Sequence, residues 1–360
     1  MLLATVFLIV GFVLLVFAAD YLVKGAASIA AAVGVSPLVV GLTVVAFGTS
    51  APELAVSVAS AFKGQADLAV GNVIGSNIFN ILVVVGISAL IIPMVVHKQL
   101  IRLDVPVMIF LSVLLYLLSM DGLISRLDGV ILFAMAIGYV LLLLWKSKHG
   151  GEAPGADELE GLLEPGGDPK WLKNISLIVL GMAGLTLGSN LLVRGAVEIA
   201  TYFGVSELVI GLTIVSVGTS LPEVATSVMA AVRGERDIAV GNVVGSNIFN
   251  IVTVLGLSSI VAPSGIGVAK EALDFDMVFM IAVAVAAFPV FFLGYRVGRV
   301  SGFLFVAFYI AYVAYLLLQS AGSGLFPAYR EAVLYYVFPA TLVVLLVVLV
   351  RAIFQRKNLA

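Results

Sequence analysis

Apolar residues occupy the chain in long runs, and short polar or charged turns separate one run from the next. Each run approaches or exceeds the roughly 20 residues that an α-helix needs to cross a bilayer. The pattern predicts an all-α membrane protein with five spans, a polar interruption, five further spans and one additional C-terminal span. The predicted segments are 2–33, 37–62, 68–95, 101–119, 124–146, 173–203, 207–232, 238–262, 272–294, 299–319 and 331–355.

The polar interruption reads HGGEAPGADELEGLLEPGGDPK. Its Gly, Pro, Asp and Glu residues cannot bury a core, and it lacks the spacing of an EF-hand, so we predict a solvated linker. Four regions follow: a first five-helix repeat, an acidic linker, a second five-helix repeat, and an extra helix with a basic tail. The predicted boundaries are 1–147, 148–172, 173–320 and 321–360.

The second set of spans repeats the first at an offset of 170 residues. Between residues 34–81 and 204–251, 32 of 48 positions are identical. Because five spans separate equivalent points, the second copy must enter the membrane in the opposite sense. This is the inverted-topology repeat on which many secondary transporters are built.

Basic residues favour one orientation in the membrane. If the N-terminus lies outside, thirteen Lys and Arg residues fall in cytoplasmic loops and the tail, and four fall outside. This positive-inside bias predicts a multi-pass protein of the cell membrane, with its N-terminus outside and its C-terminus and linker in the cytoplasm. The first residues lack the Lys or Arg of a signal peptide, so we expect the first span to be retained.

Composition agrees with the apolar pattern and excludes several functions. The chain is 62% hydrophobic and 11% charged, where soluble domains carry about 25% charged residues. No basic cluster indicates nucleic-acid binding. Cysteine is absent, which excludes disulfides and thiolate chemistry. We find no HExxH, nucleotide-binding loop or GxSxG motif, so an enzyme is not predicted.

Two spans carry a proline in mid-membrane. The segments are GLTVVAFGTSAPELAVS at 41–57 and GLTIVSVGTSLPEVATS at 211–227. Proline removes a backbone N–H and clashes with the preceding turn, so each helix should break just before it. Broken helices at membrane depth are tolerated where they line a cavity, and the freed carbonyls at the break suit a cation.

A glutamate follows each of these prolines. A carboxylate in mid-membrane costs about 2.5–3.5 kcal/mol on insertion scales, so Glu53 and Glu223 need compensation. One interpretation is an ion pair with Lys24 or Arg194, although both lie near span ends and could reach the membrane surface. The symmetric position of both glutamates beside a break favours an inward-facing cation site.

A second polar string occurs twice, as GNVIGSNIFNI at 71–81 and GNVVGSNIFNI at 241–251. Ser76 and Asn80 are four residues apart and share a helix face, as do Ser246 and Asn250. The remaining asparagines are interpreted as amides that join helices, which is common in membranes. They are Asn72, Asn77, Asn242 and Asn247.

Carboxylates, amides, hydroxyls and freed carbonyls make an all-oxygen set, and His97 and His149 lie in loops. Oxygen ligands suit Ca²⁺, Mg²⁺, Na⁺ and K⁺ rather than Zn²⁺ or Cu⁺. Two carboxylates balance one divalent ion, and the same pocket could hold several monovalent ions. That competition is what an antiporter needs.

The paired strings GTSAPE and GTSLPE, each followed by GNVxGSNIFNI, resemble the two alpha-repeats of the sodium/calcium exchangers, a family of the cation/calcium antiporter superfamily. The resemblance covers residues 1 to about 320 and is closest to prokaryotic members. It implies ten helices in two inverted halves. The second, third, seventh and eighth would form the ion-binding core, past which the first and sixth slide to alternate access.

The resemblance also implies a role for each matching residue. Glu53 and Glu223 would be the calcium carboxylates, with the backbone carbonyls of Thr49 and Thr219. Asn80 and Asn250 would complete the central position. The implied sodium ligands are the hydroxyls of Thr49, Ser76, Thr219 and Ser246 and the carbonyls of Ala46 and Ser216. No cofactor is expected beyond the transported Ca²⁺ and Na⁺.

The chain departs from the family pattern in three ways. Potassium-dependent members carry Asp where this chain has Asn250, so Asn argues against potassium co-transport. The eleventh span has no family role. The short acidic linker stands where animal members carry a large regulatory calcium-binding loop.

Two other functions remain open at this stage. An H⁺/Ca²⁺ or other cation/proton antiporter on the same fold is the main alternative to Na⁺/Ca²⁺ exchange. Proton-coupled relatives usually place a Glu after their Gly-Asn pair, where this chain has Gly75, Ser76 and Asn77. A passive channel is disfavoured by the inverted repeat around a closed acidic site. The exchange ratio and the oligomeric state are not predicted.

Overall fold

The described part of the chain folds almost entirely into helices. The structure, a computed structural model, describes residues 1–149, 171–203, 216–292 and 295–333 and the single positions 335, 343 and 350. Its helices are α1 Leu2–Val33, α2 Pro37–Thr49, α3 Ala51–Phe62, α4 Ala66–Ile91, α5 Leu100–Leu118, α6 Arg126–His149, α7 Trp171–Tyr202, α8 Ser216–Gly218, α9 Leu221–Val232, α10 Arg236–Val261, α11 Ala272–Phe292, α12 Arg299–Ser320 and α13 Phe326–Ala332.

Within the described ranges, eight helices are long and apolar enough to cross a membrane, and the bent pair α2–α3 makes a ninth span. The all-α membrane class is therefore confirmed. Most of the predicted acidic linker, the start of the seventh predicted span and nearly all of the eleventh lie outside the described residues. The count of ten helices plus one, and the boundaries of the four regions, stay predictions.

The helix bounds reproduce the repeat that the sequence shows. The helices α3 and α9 start and end at positions that differ by 170 residues, and so do α4 and α10. The first helices of the two halves, α1 and α7, each contain 32 residues. The repeat is thus one of local structure as well as of residue identity.

The third predicted span ends earlier than expected. The helix α4 stops at Ile91, whereas the apolar run continues to residue 95. Pro93 is the reason, because a proline pushes the preceding residue out of the helical region. Ile92 accordingly has φ −137° and ψ 120°, and Met94–Val95 form a short strand instead.

Two helices form the centre of the molecule. In their most apolar windows, α4 is 78% buried and α10 is 100% buried, against 28% for α1 and for α7. Each central helix widens into a π-helical segment that starts at the last asparagine of the repeated polar string, at Asn80–Val85 and Asn250–Leu255. Such segments are rare and frequently mark functional sites.

The helices α1 and α7 pack against each other in antiparallel fashion through glycine. A Cβ placed on Gly11 would lie 2.7 Å from the carbonyl oxygen of Gly188, and one on Gly195 would lie 2.6 Å from that of Ala4. Side chains are therefore excluded at these crossing points. Close backbone approach through small residues is the usual basis of helix association in membranes.

One ion-pair cluster joins α1 to the core. Asp20 pairs with Lys24 over 2.8 Å on the same helix and also with Arg233, which directly follows α9. Lys24 is thus engaged by Asp20, and Arg194 is exposed. Among the described residues, neither cation lies within ion-pair distance of Glu53 or Glu223. The ion-pair interpretation of these glutamates is therefore wrong.

Two short strand pairs connect the halves at opposite ends of α5. The strands are β1 Met94–Val95, β2 Leu123–Ile124, β3 Ile266–Gly267 and β4 Arg296–Val297. Antiparallel pairing joins β1 to β4 and β2 to β3. Each pair brings together two loops that the predicted topology assigns to the same side of the membrane.

A tyrosine–aspartate hydrogen bond recurs in the outer helices of both halves. Tyr139 Oη of α6 donates to Asp104 Oδ1 of α5 over 2.9 Å. Tyr312 Oη of α12 donates to Asp276 Oδ1 of α11 over the same distance. Both aspartates end π-helical segments, at Leu100–Asp104 and Ala272–Asp276. These bonds tie each outer pair of helices together.

Candidate functional site

The predicted helix breaks are present in both halves. The axis bends by 46° between α2 and α3, with Ser50 as the residue between them. In the second half, α8 ends at Gly218 and α9 starts at Leu221. Proline is the second residue of both α3 and α9, a position where its missing N–H costs no helical bond.

The breaks expose carbonyl groups as well as helix N-termini. Because Pro222 has no N–H, the carbonyl of Gly218 lacks its usual helical partner. Ser189 Oγ from α7 donates a hydrogen bond to that carbonyl. In the first half, the residue equivalent to Ser189 is Ala19, which has no hydroxyl to donate to Gly48. The two breaks are therefore alike in backbone but differ in what caps them.

Glu53 lies in the first turn of α3 and is completely buried. Its Oε1 accepts hydrogen bonds from Ser220 Oγ over 3.0 Å and from Ser76 Oγ over 3.4 Å. Ser76 belongs to the central helix of the same half, whereas Ser220 belongs to the break of the other half. The positive end of the α3 dipole further favours a negative charge at this position.

Glu223 repeats this arrangement from α9 and is also completely buried. Its Oε1 accepts from Ser50 Oγ over 3.3 Å and from Ser246 Oγ over 3.4 Å. Each carboxylate is thus held by one hydroxyl of its own half and one of the opposite half. The two glutamates share a single site at the centre of the molecule.

Several polar atoms at this centre have no hydrogen-bond partner among the described residues. They include Oε2 of both glutamates, Oδ1 and Nδ2 of Asn80, and Oδ1 of Asn250. Buried carboxylates and amides are normally paired, and an unpartnered one costs about 1–3 kcal/mol or more. Two carboxylates without a cation partner, surrounded by oxygen atoms, form a donor set that fits a hard metal ion.

A second cluster of oxygen atoms lies around Thr49, which is buried. Its Oγ1 is 3.3 Å from the Ala46 carbonyl and 3.3 Å from Ser246 Oγ. Ser246 Oγ is in turn 3.4 Å from the same Ala46 carbonyl. The structure therefore brings together three residues for which a sodium-binding role is predicted.

The equivalent cluster of the second half is described only in part. Thr219 Oγ1 donates to Asn72 Oδ1 over 3.2 Å, and Ser76 Oγ lies 3.0 Å from Ser220 Oγ. The side chain of Ser216 lies outside the described part of the chain. The ligand roles of the ten predicted site residues stay predictions, although the geometry groups most of them around the two glutamates.

The central asparagines cross between the halves. Asn77 Nδ2 donates to the Asn247 carbonyl over 3.3 Å, and Asn247 Nδ2 donates to the Asn77 carbonyl over 3.4 Å. Asn250 Nδ2 donates to Asn77 Oδ1 over 3.1 Å, whereas the side chain of Asn80 has no partner among the described residues. Asn77 and Asn247 thus join helices, as the sequence indicates, while Asn80 is free to turn toward an ion.

Comparison with known proteins identifies the chain at this point. A family model described as "Sodium/calcium exchanger protein" matches residues 3–145 and 173–318, which is most of both halves. The chain belongs to the sodium/calcium exchanger family. The family consists of exchangers rather than enzymes, and this chain is a multi-pass membrane protein.

Several relatives align along nearly their whole length. The putative antiporter CaxA of Alkalimonas amylolytica is 43% identical over 323 residues, and the alignment covers 89% of this chain and 100% of CaxA. The sodium/calcium exchanger MaX1 of Methanosarcina acetivorans is 33% identical, with 86% and 97% covered. The solved structure of the sodium-calcium exchanger NCX_Mj, soaked with Na⁺ and Sr²⁺, is 31% identical and superimposes with a TM-score of 0.74 over 87% of this chain and 98% of that one.

Proposed function

We propose that this protein is a secondary active antiporter that exchanges Na⁺ for Ca²⁺ across the cell membrane. The observation that carries the proposal is the pair of buried glutamates, each with one carboxylate oxygen that has no partner in the described chain. A Ca²⁺ ion between them would balance their two negative charges and be coordinated by the unpartnered oxygens. The names of MaX1 and of NCX_Mj, both given as sodium–calcium exchangers, support the same assignment.

Sodium is proposed as the counter-ion because hydroxyls and carbonyls flank the glutamates on both sides. The cluster of Ala46, Thr49 and Ser246 offers neutral oxygen atoms only. Neutral oxygens suit a monovalent cation better than a divalent one, whose charge calls for carboxylates. The amide at Asn250 leaves the site with two carboxylates, so potassium co-transport is not proposed.

The proposed cycle is alternating access, in which α1 and α7 move past the core that contains both breaks. The N-terminus is proposed to lie outside and the C-terminus in the cytoplasm, on the positive-inside bias. Calcium and sodium then reach one site from either side in turn. A cycle that carries three Na⁺ against one Ca²⁺ would move one net charge.

The decisive measurement is an ion-replacement assay in proteoliposomes. We expect ⁴⁵Ca²⁺ uptake to require an outward Na⁺ gradient and to fail with K⁺ or with a pH gradient alone. Uptake driven by a pH gradient without sodium would instead identify a proton-coupled antiporter. Currents through single channels would contradict antiport altogether.

The glutamates supply the matched controls for this assay. Glu53→Gln and Glu223→Gln each keep the shape of the side chain but remove one negative charge from the site. We expect both variants to lose exchange almost completely, because a desolvated divalent ion needs both charges. Wild-type rates in both variants would overturn the site assignment.

A further inference from the structure

Two further asparagines, Asn72 and Asn242, each bond a helix that carries a glutamate and also the helix break of the opposite half. Asn242 is completely buried on α10. Its Nδ2 donates to Ser227 Oγ of α9 over 2.9 Å, and its Oδ1 accepts a hydrogen bond of 3.0 Å from Thr49 Oγ1 in the other half. The amide therefore links the two halves through a single threonine hydroxyl.

Asn72 repeats this arrangement on α4 and fixes the orientation of the amide. Its Nδ2 donates to Ser57 Oγ over 3.0 Å and to the backbone carbonyl of Glu53 over 3.3 Å. A carbonyl can only accept, so this end of the amide must be the nitrogen. The other end is the oxygen, and it accepts from Thr219 Oγ1 over 3.2 Å.

An amide oxygen constrains the hydroxyl that it contacts. A threonine hydroxyl has one proton and two lone pairs, and an amide oxygen offers no proton. When the hydroxyl gives its proton to the amide, its lone pairs are left for other neighbours. Thr49 Oγ1 lies 3.3 Å from Ser246 Oγ and 3.3 Å from the Ala46 carbonyl, which are the other proposed sodium ligands of this cluster.

We propose that Asn72 and Asn242 are positioning residues, which orient the hydroxyls of Thr219 and Thr49 so that only oxygen lone pairs face a sodium ion. The inference rests on the proposed function, because it assumes that these hydroxyls bind sodium. Neither amide is bonded to a carboxylate oxygen, and Asn72 meets Glu53 only at its backbone. Both residues therefore reach the calcium carboxylates only indirectly, and their main effect should be on sodium affinity.

The test measures the KM for Na⁺ and the KM for Ca²⁺ separately in proteoliposomes. Asn242→Ala removes the acceptor, so the Thr49 hydroxyl is free to point its proton into the site. We expect the KM for Na⁺ to rise by about 3–10-fold, the equivalent of one lost hydrogen bond. The KM for Ca²⁺ should change by clearly less than the KM for Na⁺.

A double-mutant cycle separates positioning from packing. In a Thr49→Val background, Asn242→Ala should cause no further rise in the KM for Na⁺, because the hydroxyl that it orients is gone. Asn247→Ala is the matched control, since Asn247 is a buried amide of the same helix that bonds a backbone carbonyl and no described threonine. We expect its KM for Na⁺ to match the wild type.

Three results would overturn the inference: an equal rise in both KM values, an additive cycle, or an unchanged KM for Na⁺. Wild-type flux without any sodium dependence would overturn the proposed function together with it. Sodium-dependent wild-type flux with an unaffected Asn242→Ala variant would overturn the positioning role alone. If Asn242→Ala is not monodisperse in detergent, Asn72→Ala with Thr219→Val gives the same cycle from the other half.

Discussion

Ser50 and Ser220 contact the glutamates of the candidate site, although nothing in the sequence pattern singled them out. Each hydroxyl crosses to the opposite half and bonds the glutamate there, at 3.3 Å and 3.0 Å. Both serines directly follow the Gly-Thr pair in GTSAPE and GTSLPE. Sequence position alone could not show that each serine acts on the other repeat, because that contact depends on how the two breaks face each other.

Removal of one crossing hydroxyl should weaken calcium binding. Ser220→Ala removes the nearer of the two serine hydroxyls that bond Glu53 Oε1, so the carboxylate is less firmly placed. We expect the KM for Ca²⁺ to rise by about 10–100-fold, in line with the loss of a hydrogen bond to a charged group. Transport kinetics in proteoliposomes measure this change.

Ser112→Ala is the control for Ser220→Ala. Ser112 is an equally buried serine, but it bonds the carbonyl of Met108 within its own helix. Its KM for Ca²⁺ should remain at the wild-type value. A similar rise in both variants would mean that any buried hydroxyl matters, and that Ser220 has no special place at the site.

At the scale of the helices, the sequence predicted the elements well and their distortions poorly. The breaks followed from Pro52 and Pro222, because a missing N–H has a local cause that is visible in the sequence. The π-helical segments that begin at Asn80 and Asn250 had no such signal. They arise where a helix must adjust to its neighbours, which is a property of packing and not of local propensity.

The tyrosine–aspartate bonds allow a prediction at this scale. Tyr139→Phe removes the donor of a fully buried aspartate, whereas Tyr312→Phe does so for an aspartate that is only partly buried. Loss of a partner costs about 1–3 kcal/mol when the remaining group is buried, and less when water can replace it. The apparent Tm in detergent should therefore fall more for Tyr139→Phe. An equal or reversed order would contradict this.

At the scale of the whole molecule, the inverted repeat was predictable from the sequence, but the way in which the two halves pack against each other was not. The offset of 170 residues and the odd number of spans between copies fix the opposite orientation of the second half. The antiparallel seam of α1 and α7 depends on Gly11, Gly188 and Gly195, whose role appears only once the helices face each other. Their spacing is common in membrane helices and does not identify a partner.

The predicted orientation can be tested directly, because the chain has no cysteine. Lys63 and Lys98 are both exposed and lie in loops that follow α3 and α4, at opposite membrane faces in the predicted topology. We expect a membrane-impermeant maleimide to label Lys63→Cys in intact cells, and to label Lys98→Cys only after permeabilisation. The unsubstituted protein provides the blank. The opposite pattern would place the N-terminus in the cytoplasm.

The two strand pairs have a mechanical consequence. At one membrane face β1 is hydrogen-bonded to β4, and at the other face β2 is hydrogen-bonded to β3. The loops next to the outer helices of the two halves are therefore joined at both faces. A hinge movement that separates the two halves at one face would have to break the strand pair at that face. The helices α1 and α7 contain none of the four strands. These two helices can therefore slide along their own axes, in a shear movement rather than a hinge movement, without breaking either strand pair.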